Sequence, residues 1–192
     1  MTLQLTTARL NGYFQQFRNL KIAVIGDLML DQYLQGSVKR ISPEAPIPIV
    51  RVETDTCRPG GAANVALNLV RQGARCSLVG VSGQDRHRGE LLACLKAGGI
   101  DGRGVVADPQ GTTIVKTRVL ARQQQLLRID HEAYAAQVAR TGRSPAVEKQ
   151  LIARARQAIA GADAVVLSDY VKGCLTPGLF RAVLAQAKRR RI

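Results

Sequence analysis

Apolar residues along this chain fall into two recurring patterns. Short β-branched runs, Lys21–Ile25, Cys76–Val81 and Ala164–Leu167, alternate with longer stretches whose apolar residues return every three or four positions. Buried strands alternating with amphipathic helices predict βαβ units, a largely parallel sheet and helices packed on it. One helix is predicted from Gly60-Gly61 to about Gln72, apolar nearly all round and so buried on most sides. A second covers Gly89–Ala97 and stops at Gly98-Gly99. Ser144-Pro145 starts a third, with Val147, Leu151, Ala155, Ala158 and Ile159 as its apolar face, because Ser caps free N–H groups and Pro suits the first helical turn. Thr176-Pro177 opens the last, with Leu179, Phe180, Val183, Leu184 and Ala187 facing the core.

The second pattern has period two. In Thr112–Leu120, Ile114, Lys116, Arg118 and Leu120 point one way and Val115, Thr117 and Val119 the other. Gln125–Asp130 is its predicted partner, with Arg128 and Asp130 on a common face. Pro43, Pro46 and Pro48 forbid a helix and a central strand around them, so that segment is expected to be stiff and extended, feeding a strand at Ile49–Glu53. These three strands are expected to form a small polar sheet apart from the main one.

Composition narrows the classes. The 192 residues suit one domain, and 46% apolar with 22% charged residues suits a globular core. The longest aliphatic runs are far shorter than the roughly 20 residues that span a bilayer, and the first residues lack the basic-then-apolar pattern of a secretory leader. Cys57, Cys76, Cys94 and Cys174 form no CxxC pair and there are two histidines, so a reducing cytoplasm is expected, without a zinc site. The net charge is +14, yet the basic residues are scattered, and the seven aromatics are not interleaved with them. Nucleic acid and membrane are therefore not expected as partners, and a phosphorylated small molecule would use a handful of these cations just as naturally. A GxGxxG after the first strand, a P-loop and a Ser-His-Asp constellation are all missing.

Candidate chemistry clusters where strands end. Asp27 and Asp31 follow the first strand, at the strand ends where open α/β sheets bind ligands. Asp31 could accept hydrogen bonds from two sugar hydroxyls; the plainer role for Asp27 is to cap the next turn. Gly60-Gly61 lets the backbone approach a ligand, and Asn64, with Asn68 one turn on, offers an amide; ordinary helix–strand packing explains the same glycines. Lys116, Arg118 and Arg128 could meet a phosphate dianion or make up a solvated strand face. Asp169 and Lys172 follow another buried strand, at the crevice or as a cap and a surface lysine.

Taken together, GDLMLDQY, SVKRISPEAPIPIV, RPGGAANVALNL and VLSDYVKG resemble the PfkB (ribokinase-like) sugar kinases, and the ISPEAP and QQLLRID runs resemble the branch acting on D-glycero-β-D-manno-heptose 7-phosphate. The likeness runs from about Phe17 to Ile192. It implies a Rossmann-like α/β domain with a small β-sheet lid, the lid strands lying near residues 38–53 and 112–130. It also implies ATP with Mg as cofactor, phosphorylation of a heptose 7-phosphate at C1 for lipopolysaccharide-core synthesis, and a homodimer through the lid. Asp31, Gly60, Gly61 and Asn64 would hold sugar hydroxyls by motif match. Lys116, Arg118 and Arg128 are assigned to the 7-phosphate from strand geometry alone. The family's Gly-Ala-Gly-Asp segment, which carries the aspartate base, is not among these 192 residues. No catalytic residue is therefore assigned; the chain is expected to be an incomplete kinase domain, its C-terminal part missing, and inactive alone. Another sugar, or a non-catalytic sugar-phosphate module, remains the alternative.

Overall fold

A computed structural model describes residues 6–122 and 124–192. In chain order the elements are α1 (Thr7–Phe17), β1 (Lys21–Gly26), β2 (Leu28–Ile41), β3 (Pro48–Gly61), α2 (Ala62–Arg71), β4 (Arg75–Gly83), α3 (Arg86–Ala97), β5 (Val105–Asp108), β6 (Val115–Ala121), β7 (Gln124–His131), α4 (Ala133–Thr141), α5 (Pro145–Ala160), β8 (Ala164–Ser168) and α6 (Pro177–Arg190). The β-branched runs form a parallel sheet in the order β5-β4-β1-β8, with Val24 of β1 level with Leu78 on one side and Val166 on the other. Ala23, Val24 and Ile25 are wholly buried, as a central strand covered on both faces must be.

Two apolar layers hold the helices on. Ala62, Ala63, Ala66 and Leu67 of α2 and Leu91 and Leu95 of α3 pack on one face, and Val147, Leu151, Ala155 and Ile159 of α5 with Leu179 and Val183 of α6 pack on the other. Each large side chain buried this way contributes roughly 1.5–3 kcal/mol. The caps form as the residue types require: Ser144 Oγ accepts the Val147 N–H at 3.4 Å and Thr176 Oγ1 the Leu179 N–H at 3.1 Å. Two helices are less covered than their composition suggests. Asn64 and Asn68 leave one side of α2 exposed, because its alanines already satisfy the close approach to the sheet. On α6, Phe180 and Leu184 are 43% and 48% exposed, since α6 rests its Leu179/Val183 edge on the core rather than a broad face.

The second sheet runs β3-β2-β6-β7, with β2/β3 and β6/β7 antiparallel and β2/β6 parallel. One of its two 14-residue members, β2, shows in the sequence only at its far end, where lid strands are expected from about residue 38; no strand is expected over residues 28–37. Residues 31–40 are mostly polar, and register shifts at Gln35/Gly36 and Val38/Arg40 break the period of two. Pairing with β3 and β6 makes it a strand, not its own pattern. Likewise the strand read at Ile49–Glu53 extends through Gly61, with Pro48 at its first position, where no ladder donor is needed. In β6 the alternation holds: Val115, Thr117, Val119 and Ala121 are buried, the residues between them half-buried. Asp85 locks this sheet to the first. Capping α3 through the Arg88 N–H at 3.0 Å, it also accepts the Thr113 N–H at 2.7 Å, just before β6.

Candidate functional site

The site is built around the point where the chain leaves one sheet for the other. Asp27, between β1 and β2, is buried and does not cap the following turn. Its Oδ2 accepts the Tyr170 and Lys172 N–H groups at 2.7 and 3.1 Å, and Oδ1 the Cys174 N–H at 2.9 Å. Its carbonyl oxygen accepts the Ala62 N–H at 2.9 Å, at the start of α2. One residue thus ties together the strand crossing, the glycine-led helix and the loop after β8.

Next to it, Gly60 lies against Asp31. A Cβ on Gly60 would sit 2.6 Å from Asp31 Oδ2 and 2.8 Å from Met29 Cγ, so the carboxylate occupies space that a side chain would need. Gly61 turns into α2 with φ +56°, in the left-handed region that glycine adopts without strain. Asn64 follows in the first turn, exposed, with no side-chain hydrogen bond among the described residues.

Register then assembles a charged face. Asp31 and Tyr33 of β2, Arg58 of β3, Lys116 and Arg118 of β6, and Arg128 and Asp130 of β7 all project to one side of the second sheet. Arg118 Nη1 lies 2.5 Å from Asp31 Oδ1, and the Arg118 and Arg58 guanidiniums stand 5.4 and 5.3 Å from the Tyr33 ring centre. Arg128 Nε donates to Asp130 at 2.7 Å. Lys116 Nζ donates to Asp130 at 3.0 Å and to Glu132 at 2.9 Å, and Lys172 Nζ reaches the other Glu132 oxygen at 2.9 Å. Cations outnumber carboxylates on this face, so it suits an anion.

The electrostatics follow from these contacts. Hydrogen bonds from Arg128 and then Lys116 pull the Asp130 carboxyl down from its ordinary 3.8 to about 2. Lys116 and Lys172 lower Glu132 in the same way. Partial burial works to lower the Lys116 pKa, but its bonds to Glu132 and Asp130 outweigh that and raise it.

Of the residues singled out in the sequence, Asp31, Gly60, Gly61, Lys116, Arg118 and Arg128 come together, and Glu132 joins Lys172 to them. Asp169 does not join: it is exposed, and its Oδ1 accepts the Val171 N–H at 2.8 Å in a local turn. Sequence reasoning missed Glu132, although Arg128, Asp130 and Glu132 continue one period of two. It also missed a buried cluster beside the site. Arg143 Nη1 lies 2.6 Å from Asp108 Oδ2, the pair being 4% and 2% exposed, and Tyr134 Oη donates to the same oxygen at 3.1 Å. This cluster borders a cavity of about 20 Å³ with Asp27, Ser82 and Lys172. A larger hollow of about 310 Å³ lies elsewhere, between β4 and α5, lined by Ser77, Asp101, Arg103 and Arg154, and shares none of the site's residues. Among the described residues no group of three His, Cys, Asp or Glu side chains could cage a metal ion.

The fold is that of the carbohydrate kinases. It superposes on 2-dehydro-3-deoxygluconokinase from Thermotoga maritima with a TM-score of 0.64 at 16% identity, covering 90% of this chain and 49% of that one. A carbohydrate kinase from Agrobacterium tumefaciens gives 0.61 at 20% identity, covering 90% and 51%. Residues 19–188 match the pfkB family carbohydrate kinases, and the chain belongs to that family. Among curated relatives, the bifunctional protein HldE of Gluconobacter oxydans is 45% identical over 177 residues and that of Pseudomonas aeruginosa 46% over 176, each covering 92% of this chain. The chain spans 36% and 34% of those two relatives, about a third of their length.

Proposed function

We propose that this chain is the sugar-binding part of a kinase domain that phosphorylates a heptose 7-phosphate at its C1 hydroxyl with ATP. The observation that carries the reading is the corner where the Asp31 carboxylate rests on Gly60, directly beside the cationic face of Lys116, Arg118 and Arg128. In this reading Asp31 exchanges Arg118 for two sugar hydroxyls. The open backbone at Gly60-Gly61 and the free Asn64 amide hold further hydroxyls, and the second sheet closes as a lid. The 7-phosphate meets Lys116, Arg118 and Arg128, with Lys172 reaching in from the loop after β8. Charge-assisted bonds to a dianion are the strong ones, and they give a phosphorylated sugar its advantage over a free one.

Phosphoryl transfer rests on positioning and charge stabilisation. The aspartate base and the ATP-holding segment are not among these residues, so the 192-residue chain binds sugar phosphate without turning over ATP. The exposed outer strand β7 is the surface through which a lid-to-lid homodimer would pair. A reducing cytoplasm, where ATP and sugar phosphates are found, is the proposed compartment; among the described residues no helix is long and apolar enough to cross a membrane.

Calorimetry of this chain with a heptose 7-phosphate, the free heptose and hexose 6-phosphates tests the proposal. Binding of the phosphorylated heptose at least about tenfold tighter than the free sugar, or about 1.4 kcal/mol, is expected. Equal affinity for hexose phosphates would remove the heptose assignment, and no binding of any sugar phosphate would remove the sugar reading. Assay of ATP consumption with heptose 7-phosphate, on this chain and on a protein that also carries the family's Gly-Ala-Gly-Asp segment, then reads the transfer step.

A further inference from the structure

Glu132 stands where the chain leaves β7 and enters α4. It occupies the cap position of that helix, yet its side chain makes no capping hydrogen bond. Instead Oε2 receives Lys116 Nζ and Oε1 receives Lys172 Nζ, both at 2.9 Å. One lysine belongs to the second sheet and the other to the loop that Asp27 holds at the end of the first. The two lysine side chains are 13% and 24% exposed, and that of Glu132 is 28% exposed.

Two oxygens of one anionic group, each taken by a different lysine, is the arrangement a phosphate monoester would adopt between the same lysines. The phosphate carries about twice the charge and one more oxygen. We propose that Glu132 is a built-in stand-in for the substrate's phosphate. It keeps Lys116 and Lys172 aimed at one point while the site is empty, and the arriving phosphate displaces it. Glu132 can leave because it is open to water on one side and, once free, can turn to the N–H groups of α4 that it now leaves uncapped. Asp130 stays, since Arg128 holds it independently of Lys116. The exchange couples the arrival of substrate to the segment joining lid and core, making Glu132 a positioning residue that sets affinity for the phosphorylated end of the sugar.

This inference rests on the sugar-phosphate reading above, and one titration series separates the two. Wild-type chain and Glu132→Gln are titrated with a heptose 7-phosphate, inorganic phosphate and the free heptose. Gln keeps the shape and removes the competing charge, so the phosphorylated ligands should bind E132Q about tenfold tighter while the free heptose is unchanged. Unchanged or weakened phosphate binding in E132Q, with wild type still binding, overturns the stand-in and leaves the sugar reading intact. A wild-type chain that binds no sugar phosphate overturns the reading itself, and the stand-in with it. If E132Q does not fold, hydrogen exchange on wild type decides: ligand should slow exchange both in β6 and at residues 133–136, where the released Glu132 caps α4, whereas slowing in β6 alone, with residues 133–136 unchanged or faster, overturns the proposal.

Discussion

Gly60 shows at the scale of one residue how a site can depend on an absent side chain. The space a methyl group would take is held by the Asp31 carboxylate and Met29. Gly60→Ala should therefore push Asp31 aside, abolish sugar binding in calorimetry and lower stability by about 1–3 kcal/mol in denaturant melts. Full retention of binding would mean that Asp31 is not the sugar's anchor. Asp27 makes the complementary case, a buried carboxylate whose acceptor capacity is used by three backbone N–H groups. Asp27→Asn replaces one acceptor oxygen by a donor facing donors. It should cost about 2–4 kcal/mol and loosen the loop at 169–174, read by urea melts and proteolysis. A change within about 0.5 kcal/mol would place Asp27 among ordinary surface substitutions.

At the scale of elements, the β6/β7 ladder carries the charged face, and its carboxylates make the pH response calculable. Asp130 is held at about 2, below its ordinary 3.8, and Glu132 is also lowered. A carboxylate depressed by folding lends stability that is complete above its unfolded value and is lost as pH falls through the folded one. The melting temperature should therefore drop as pH falls from about 4 to about 2, and less so at high salt, because the pairs are partly exposed. Asp130→Asn should flatten that slope in circular-dichroism melts; an unaltered slope would locate the acid response elsewhere. These strands also show what was legible beforehand. Val115–Ala121 announces itself because buried, largely apolar positions alternate with half-buried ones that carry Lys116 and Arg118. β2 does not, because its polar positions are bonded by neighbours distant in sequence and its bulges shift the phase. Glu132 escaped for a related reason: its two lysine partners lie 16 and 40 positions away along the chain.

For the molecule as a whole, the two sheets present unequal surfaces. Among the described strands β8 pairs only with β1, and Phe180 and Leu184, one turn apart on α6, are exposed together with Tyr170 and Val171. An unpaired strand edge beside exposed apolar side chains invites association. Sedimentation of the 192-residue chain should show concentration-dependent self-association, and a Phe180→Asp/Leu184→Asp variant should sediment closer to a monomer. A wild-type chain that stays monodisperse and monomeric with a cooperative melt would contradict this.

The sequence alone determined the α/β class, the parallel sheet and the capped helices, because strand periodicity and cap chemistry act over a few neighbouring residues. Tertiary structure decided the rest. It made a strand of residues 28–37, turned Asp27 into a clamp on a loop more than 140 positions away, and placed one carboxylate between two lysines from different layers. Those outcomes come from pairing register and shared hydrogen bonds, which exist only once distant segments meet.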